Sequence, residues 1–207
     1  MQFIIKSTPE EVLRARSWWN NLEVQWKFAF NEALFGKGPV LEPPSDDHMM
    51  FLLVGIDTIR MAGPGAMHPN VSMALTNLSG LIPLYNLVNL SFTNMRISAV
   101  TELTRFTKIE HLYLYDNQIT SLQGIESMKN LKSLYLQNNE ISDIGLISEL
   151  KNLEVIYVTK NKIKSLKNFL PSKLTHLKKF YVQPNELLPD KELIQFQNKH
   201  GIICRQG

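Results

Sequence analysis

"LYLYDNQITSL" (residues 112–122) and "LYLQNNEISDI" (residues 134–144) are near-copies set 22 residues apart. A sentence repeated at a fixed period marks one supersecondary unit built several times. The shared frame is L-x-x-L-x-L-x-x-N-x-I. Ile109, Leu112, Leu114, Asn117 and Ile119 fill it, as do Leu131, Leu134, Leu136, Asn139 and Ile141. A third fit is Leu153, Ile156, Val158, Asn161 and Ile163. Upstream, Leu87, Leu90, Phe92 and Ile97 fit, with Met95 in the asparagine slot. Downstream, Leu177, Phe180, Val182, Asn185 and Leu187 fit after a spacing of 24. The first copy is Ile56, Ile59 and Met61, with Pro64 in the asparagine slot. Its tail, LTNLSGLIPLYN (residues 75–86), matches ITSLQGIESMKN (residues 119–130). Six copies therefore start at residues 56, 87, 109, 131, 153 and 177.

Each φ-x-φ core reads as a short strand whose alternate side chains face opposite ways, so Leu112 and Leu114 point inward together. The asparagine marks the place where the chain leaves the strand. Its amide can donate to and accept from backbone groups that the turn leaves unpaired. Pro64 and Met95 cannot do this, so the first two copies are expected to be looser or differently bonded there. The tail positions, Leu122, Ile125 and Met128 in the third copy, close each coil from behind.

This frame resembles the leucine-rich repeat family, in the short 22-residue class of internalin-like bacterial proteins and phosphatase-regulating repeat proteins. The resemblance covers Ile56 to about Pro189. It implies an α/β repeat solenoid with a parallel sheet on its concave face, and it implies that this face binds partners. Each coil buries its apolar face only against its neighbours, so an array needs a cover at both ends.

Residues 1–55 do not repeat and read as a helical N-terminal cap. Thr8 as N-cap, Pro9 at the first helical position and Glu11 three residues on form a capping box. Ala15, Trp19, Leu22, Trp26, Phe30 and Ala33 recur every three or four residues, one apolar face of one long helix carrying all three tryptophans. Trp19, Leu22 and Trp26 are expected to pack around Ile59 and Met61. Residues 45–55 read as a short helix capped by Ser45 or Asp46. MQFIIKS (residues 1–7) reads equally as a short strand or a disordered lead. Residues 190–207 read as a helix from Asp190, stopped by Gly201, and then a short apolar strand holding Cys204: a helix–strand C-terminal cap. The repeats fill 56–189 between the two caps. The first copy runs 31 residues and not 22, and its extra residues fall in GPGAMHPNV (residues 63–71). That insertion is either a functional loop or drift in a terminal repeat.

The sequence offers little chemistry. His48, His68, His111, His176 and His200 are scattered without metal-ligand spacing. No phosphate-binding glycine loop or nucleophile elbow occurs. Cys204 reads as an inert buried thiol. No catalytic residue, metal or cofactor is expected. No apolar run reaches the roughly 18 residues a membrane span needs, and a net charge of +3 does not by itself suggest nucleic acid. The start lacks a signal-peptide pattern, and a single cysteine suits a reducing compartment, so a cytoplasmic protein is expected.

The third, fifth, seventh and eighth positions of the frame point out of the strand face. The fifth reads Arg60, Ser91, Tyr113, Tyr135, Tyr157, Tyr181. The third includes His111 and Lys179, and the seventh includes Tyr115 and Gln137. Of six tyrosines only Tyr85 lies outside these columns. Strands in one sheet are about 4.8 Å apart, so aligned tyrosines form a stripe. The stripe serves mutual stacking, partner contact or both. His111, Tyr113, Tyr115, Tyr135, Gln137, Tyr157, Lys179 and Tyr181 are the expected partner-binding residues. Lys151, Lys160, Lys162, Lys164, Lys167, Lys173, Lys178 and Lys179 crowd residues 151–180 beside one acid, Glu154. They form either a solvated surface or a patch that steers an acidic partner. The expected function is a non-enzymatic scaffold for protein–protein recognition. Carbohydrate or other non-protein ligand binding, or a structural spacer in a larger assembly, are the alternatives.

Overall fold

The computed structural model describes residues 7–207. The lead at residues 1–6 lies outside the described residues. Six strands follow the frame: β1 (Thr58–Ala62), β2 (Asn89–Thr93), β3 (His111–Tyr113), β4 (Ser133–Tyr135), β5 (Val155–Tyr157) and β6 (Lys179–Gln183). A seventh, β7 (Cys204–Gln206), adds to the end of the same sheet. Every strand pairs in parallel with the next in sequence. Parallel neighbours need a crossover between them. From β1 to β6 each crossover is one coil carrying a short 3-10 turn such as Ile125–Ser127 or Gly145–Glu149, and between β6 and β7 it is an α-helix. The sheet is open, with helices at its two ends.

The frame leucines form the interior. Leu112, Leu134 and Ile156 are register partners, as are Ile59 and Leu90, and all are fully buried. From behind, Leu122, Ile125 and Met128 complete the coil and are also buried. The sixth copy departs from the frame by one residue. Leu187, in the isoleucine slot, is 50% exposed, and Leu188 is the buried residue at 6%. The two extra residues of the 24-residue spacing lie before Leu177, in the tail of the fifth copy, and the structure offers no simple spacing reason for the shift from Leu187 to Leu188.

The asparagine slot works as a ladder. Asn139 Nδ2 donates to the carbonyls of Leu114 (2.9 Å) and Leu136 (3.1 Å), while its Oδ1 accepts from the Ile119 amide (2.9 Å). Asn117 and Asn161 repeat this one coil either side. Asn185 bonds Val158 O in the same way. In the second copy, Met95 Sδ faces the Leu75 amide at 3.3 Å, an acceptor without the donor. In the first copy, Asn70, inside the long insertion, replaces the missing slot. Its Oδ1 accepts from Ala62 N (2.7 Å) and its Nδ2 donates to Arg60 O (3.0 Å). The insertion thereby covers the outer edge of β1.

The expected single N-terminal helix is two. α1 (Pro9–Asn21) carries the capping box between Thr8 and Glu11, and α2 (Val24–Ala33) follows a break at Leu22 and Glu23. Asn20 and Asn21, poor helix formers, end α1. Glu23 is extended so that its carboxylate accepts from Ser79 Oγ (2.8 Å) and Asn77 Nδ2 (3.1 Å) of the first coil. Trp18 and Trp19 therefore lie on α1 and Trp26 on α2. Ring contacts of Trp19 are with Trp18 and Phe30 inside the cap. Trp19, Trp26, Ile59 and Met61 share one buried cluster, and Trp26 makes polar and ring contacts with the array. Its Nε1 donates to Asn77 Oδ1 (3.1 Å) and its ring meets Phe92 of the second coil at 5.7 Å. α3 (Asp46–Met50), capped by Ser45, runs on into a π turn at Phe51–Gly55. At the other end α4 (Asp190–His200) stops at Gly201 in the left-handed region (φ 67°) and leads into β7.

Candidate functional site

Register places the fifth-column residues side by side. Ser91 pairs with Arg60 and Tyr113, Tyr113 with Tyr135, Tyr135 with Tyr157, Tyr157 with Tyr181, and Tyr181 with Arg205. The four tyrosine rings stack. Centroids are 4.7 Å apart from Tyr113 to Tyr135 and again from Tyr135 to Tyr157, with planes 20° and 14° apart. Tyr157 and Tyr181 close to 3.9 Å at 10°. The rings follow the strand spacing because each residue repeats at the same place in its coil.

The stack changes its own chemistry. Each ring shields its neighbours, so the tyrosines are half-buried and not freely exposed. Burial, with the hydroxyl and charge of Tyr181, pushes the Tyr157 phenol up to about 12. Burial also raises the Tyr135 phenol above its ordinary value. Both phenols stay neutral donors through ordinary pH.

The remaining expected contact residues divide. His111 and Lys179 sit in the third column at opposite ends, three strands or about 14 Å apart; His111 is half-buried and Lys179 exposed. Tyr115 lies beyond the end of β3 and borders a notch with Arg60, Ser91 and Tyr113. The seventh column is not uniformly outward, because Thr93 and Thr159 sink to 5% and 2% exposure. In that column Gln137 keeps a buried Oε1 without a hydrogen-bond partner. The eighth position is a turn. Asn94, Asp116, Asn138 and Lys160 all adopt left-handed backbone, with φ between 53° and 57°. There the Asp116 carboxylate accepts from Asn94 Nδ2 (3.4 Å) and Asn138 Nδ2 (2.5 Å).

The lysine-rich stretch is partly answered from within the chain. Lys162, Lys173 and Lys178 pair with Glu140, Glu149 and Glu154 of the preceding coil at 2.6–2.8 Å. These exposed pairs contribute about 1 kcal/mol or less each.

Two features escaped sequence reasoning. Arg205 continues the tyrosine column, which the alignment of repeats could not register because β7 belongs to no copy. A second asparagine ladder runs along the tails: Asn86, Asn130 and Asn152 donate to the carbonyls of Val54, Thr107 and Lys129. Its signal was present, since Asn130 and Asn152 are 22 residues apart. Cys204 is buried against Phe180, and burial alone pushes its thiol up to about 11, which disfavours the reactive thiolate. Among the described residues no group of three or more His, Cys, Asp or Glu could hold a metal ion.

Residues 107–150 and 129–172 match the family model described as Leucine Rich repeats (2 copies). No protein of curated function matches the sequence. Among solved structures, internalin C2 of Listeria monocytogenes is similar at 24% identity and a TM-score of 0.50, covering 58% of this chain and 50% of its own. This chain thus spans about half the length of that protein. The internalin InlF of the same organism is similar at 22% identity and a TM-score of 0.45, covering 59% and 41%. A plant peptide hormone receptor, RGFR1, solved in complex with RGF2, is similar at 22% identity and a TM-score of 0.46, covering 52% and 18%. At 24% identity, the likeness to internalin C2 is one of fold.

Proposed function

This chain is a leucine-rich-repeat solenoid with an internalin-like fold, and from that premise we propose that it is a non-enzymatic scaffold that holds a protein partner on the tyrosine column of its concave face. Leucine-rich-repeat proteins generally mediate protein–protein recognition. The observation that carries the finer reading is the four-ring stack from Tyr113 to Tyr181. The coil does not need it: Arg60 and Ser91 hold the same position in copies whose strands pair normally. Tyrosine offers a large face, a polar tip and few rotors, and partner-binding surfaces favour it for that reason. The stacked phenols are also fixed in place before any partner arrives, which lowers the entropy cost of contact. Lys179 and Tyr181 extend the surface toward the lysine-rich end, which suits an acidic partner.

The test is Tyr135→Ala with Tyr157→Ala, measured once for melting and once for capture of partners from the source cell. Cross-strand aromatic pairs such as these half-buried ones contribute about 1 kcal/mol or less each to stability. At the centre of a contact surface the same truncation costs about 2 kcal/mol or more in affinity. Loss of capture with a modest change in melting supports the reading. Unchanged capture with collapsed stability makes the stack structural. Capture replaced by binding on a glycan array makes the ligand a carbohydrate.

A further inference from the structure

The tyrosine column lacks one storey. In register order it runs Arg60, Ser91, Tyr113, Tyr135, Tyr157, Tyr181, Arg205. At the far end it is occupied: Arg205 stands beside Tyr181, and a Cβ placed on Gly207 would lie 3.2 Å from Tyr157 and 3.3 Å from Tyr181. At the near end Ser91 occupies a position where the next four copies place a ring. The space a ring would fill is an open notch of about 430 Å³, lined by Arg60, Asn70, Ser91, Thr93, Tyr113 and Tyr115 among others.

We propose that this notch is a stacking slot for one aromatic side chain of the partner, held between the free face of Tyr113 and the guanidinium of Arg60. The proposal rests on the concave-face reading and names the chemistry that reading left open. Spacing is its first support. Arg60 and Tyr113 are two strands apart, about 10 Å, and one ring between them stands about 4.8 Å from each. That is the 4.7 Å interval the column already uses between Tyr113 and Tyr135. Complementarity is the second. The outer face of Tyr113 favours an offset-stacked ring, and an arginine within about 6 Å of a ring centroid is attracted to its π face. Arg60 is exposed and points to the strand face, with Ile59 and Met61 buried on either side of it in sequence. Rigidity is the third. The wall at Asn70 is pinned by bonds to Ala62 N and Arg60 O, so the slot exists before it is filled. A sugar ring could lie on the Tyr113 face and accept hydrogen bonds from the guanidinium, but it has no π face for the planar guanidinium to stack on. An aliphatic side chain would use neither π surface.

The experiment needs no knowledge of the partner. The full chain is titrated with N-acetyl-tryptophanamide and followed by amide and ring NMR signals, with N-acetyl-leucinamide and methyl β-glucoside as comparisons. The tryptophan probe is expected to shift signals of Arg60, Ser91 and Tyr113, and the other two are not. Ser91→Tyr places the chain's own ring in the slot and should weaken the probe about tenfold or more, as blocking an anchor pocket does, with melting unchanged or raised. Arg60→Ala, at an exposed position, keeps the fold and should weaken the probe about two- to fivefold. No shift at these residues, an equal response to leucinamide, a stronger response to the glucoside, or indifference to both substitutions overturns the slot. Partner capture separates this from the broader reading. If the Tyr135→Ala, Tyr157→Ala double loses capture while the probe ignores the notch, the slot falls and the face stands. If the probe fills the notch while capture ignores the double, the slot stands and the face reading falls.

Discussion

Asn139 shows what one residue does for a whole coil. Its side chain serves the carbonyls of Leu114, Leu136 and Gln137 and the amide of Ile119, groups drawn from two successive coils. Truncating it to alanine strands those buried groups, each at about 1–3 kcal/mol. Asn139→Ala should therefore lower stability by at least about 2 kcal/mol in urea denaturation, while the half-exposed Ser133→Ala stays near wild type. Tyr157 sets a limit at high pH. Its phenol ionises near 10 in an unfolded chain and is held neutral to about 12 in the fold. A raised folded value gives stability that is whole below pH 10 and is lost as pH rises from 10 toward 12. Melting temperature should be flat with respect to this group from pH 8 to pH 10 and fall above it. Tyr157→Phe should make that alkaline fall shallower. An unchanged alkaline limb in the phenylalanine variant would remove the phenol from the account.

At the scale of elements, the junction of cap and array is the most exacting fit. Helix α2 lays Trp26 on the first coil so closely that a Cβ on Gly80 would stand 2.2 Å from the indole. Glu23, freed by the break between α1 and α2, clasps Asn77 and Ser79, and these bonds hold its carboxyl below the ordinary value. Overpacking of this kind costs about 1–3 kcal/mol and sometimes more. Gly80→Ala should lower the melting temperature and dim the tertiary circular-dichroism signal of the tryptophans. Gly65→Ala, where the added Cβ meets nothing closer than 3.6 Å, should not. A stable Gly80→Ala protein with native tryptophan signals would show that α2 docks more loosely than described.

As a whole molecule the chain is a stack in which each coil is covered by the next, with α1–α3 on one end and α4 and β7 on the other. Removing residues 1–50 would uncover Phe92, Leu78 and Leu81 of the first two coils, all buried in the intact protein. A solenoid stripped of its cap loses solubility. The 51–207 fragment is expected to aggregate or to unfold without cooperativity in a thermal scan. A soluble, cooperatively melting fragment would make the helical segment a separate module. The coil-to-coil ion pairs on the outer faces, such as Lys132–Glu110 at 2.6 Å, follow the same period but lie in solvent and add little.

The repeat was legible because its demands are local and recur. Leucine at two alternating strand positions and asparagine at the exit are required by every coil, so a single sequence shows them several times over. That was enough for the strands, the parallel order, the interior and the asparagine ladder, and enough to align Tyr113, Tyr135, Tyr157 and Tyr181. What happens once only was not legible. The break at Leu22–Glu23 serves a carboxylate bound 54–56 residues away. Asn70 fills a slot outside the frame because it returns to the edge of β1. Leu188 replaces Leu187 in the core of the last coil, although the frame from Leu177 to Leu187 keeps the spacing of the other copies. Arg205 joins the tyrosine column through the pairing of β6 and β7. The unit and its period were readable in the chain because every coil imposes the same demands on the same positions. How the ends close, and how Asn70 and Tyr115 wall the notch beside Ser91, came from the fold, because both depend on contacts between segments that share no pattern.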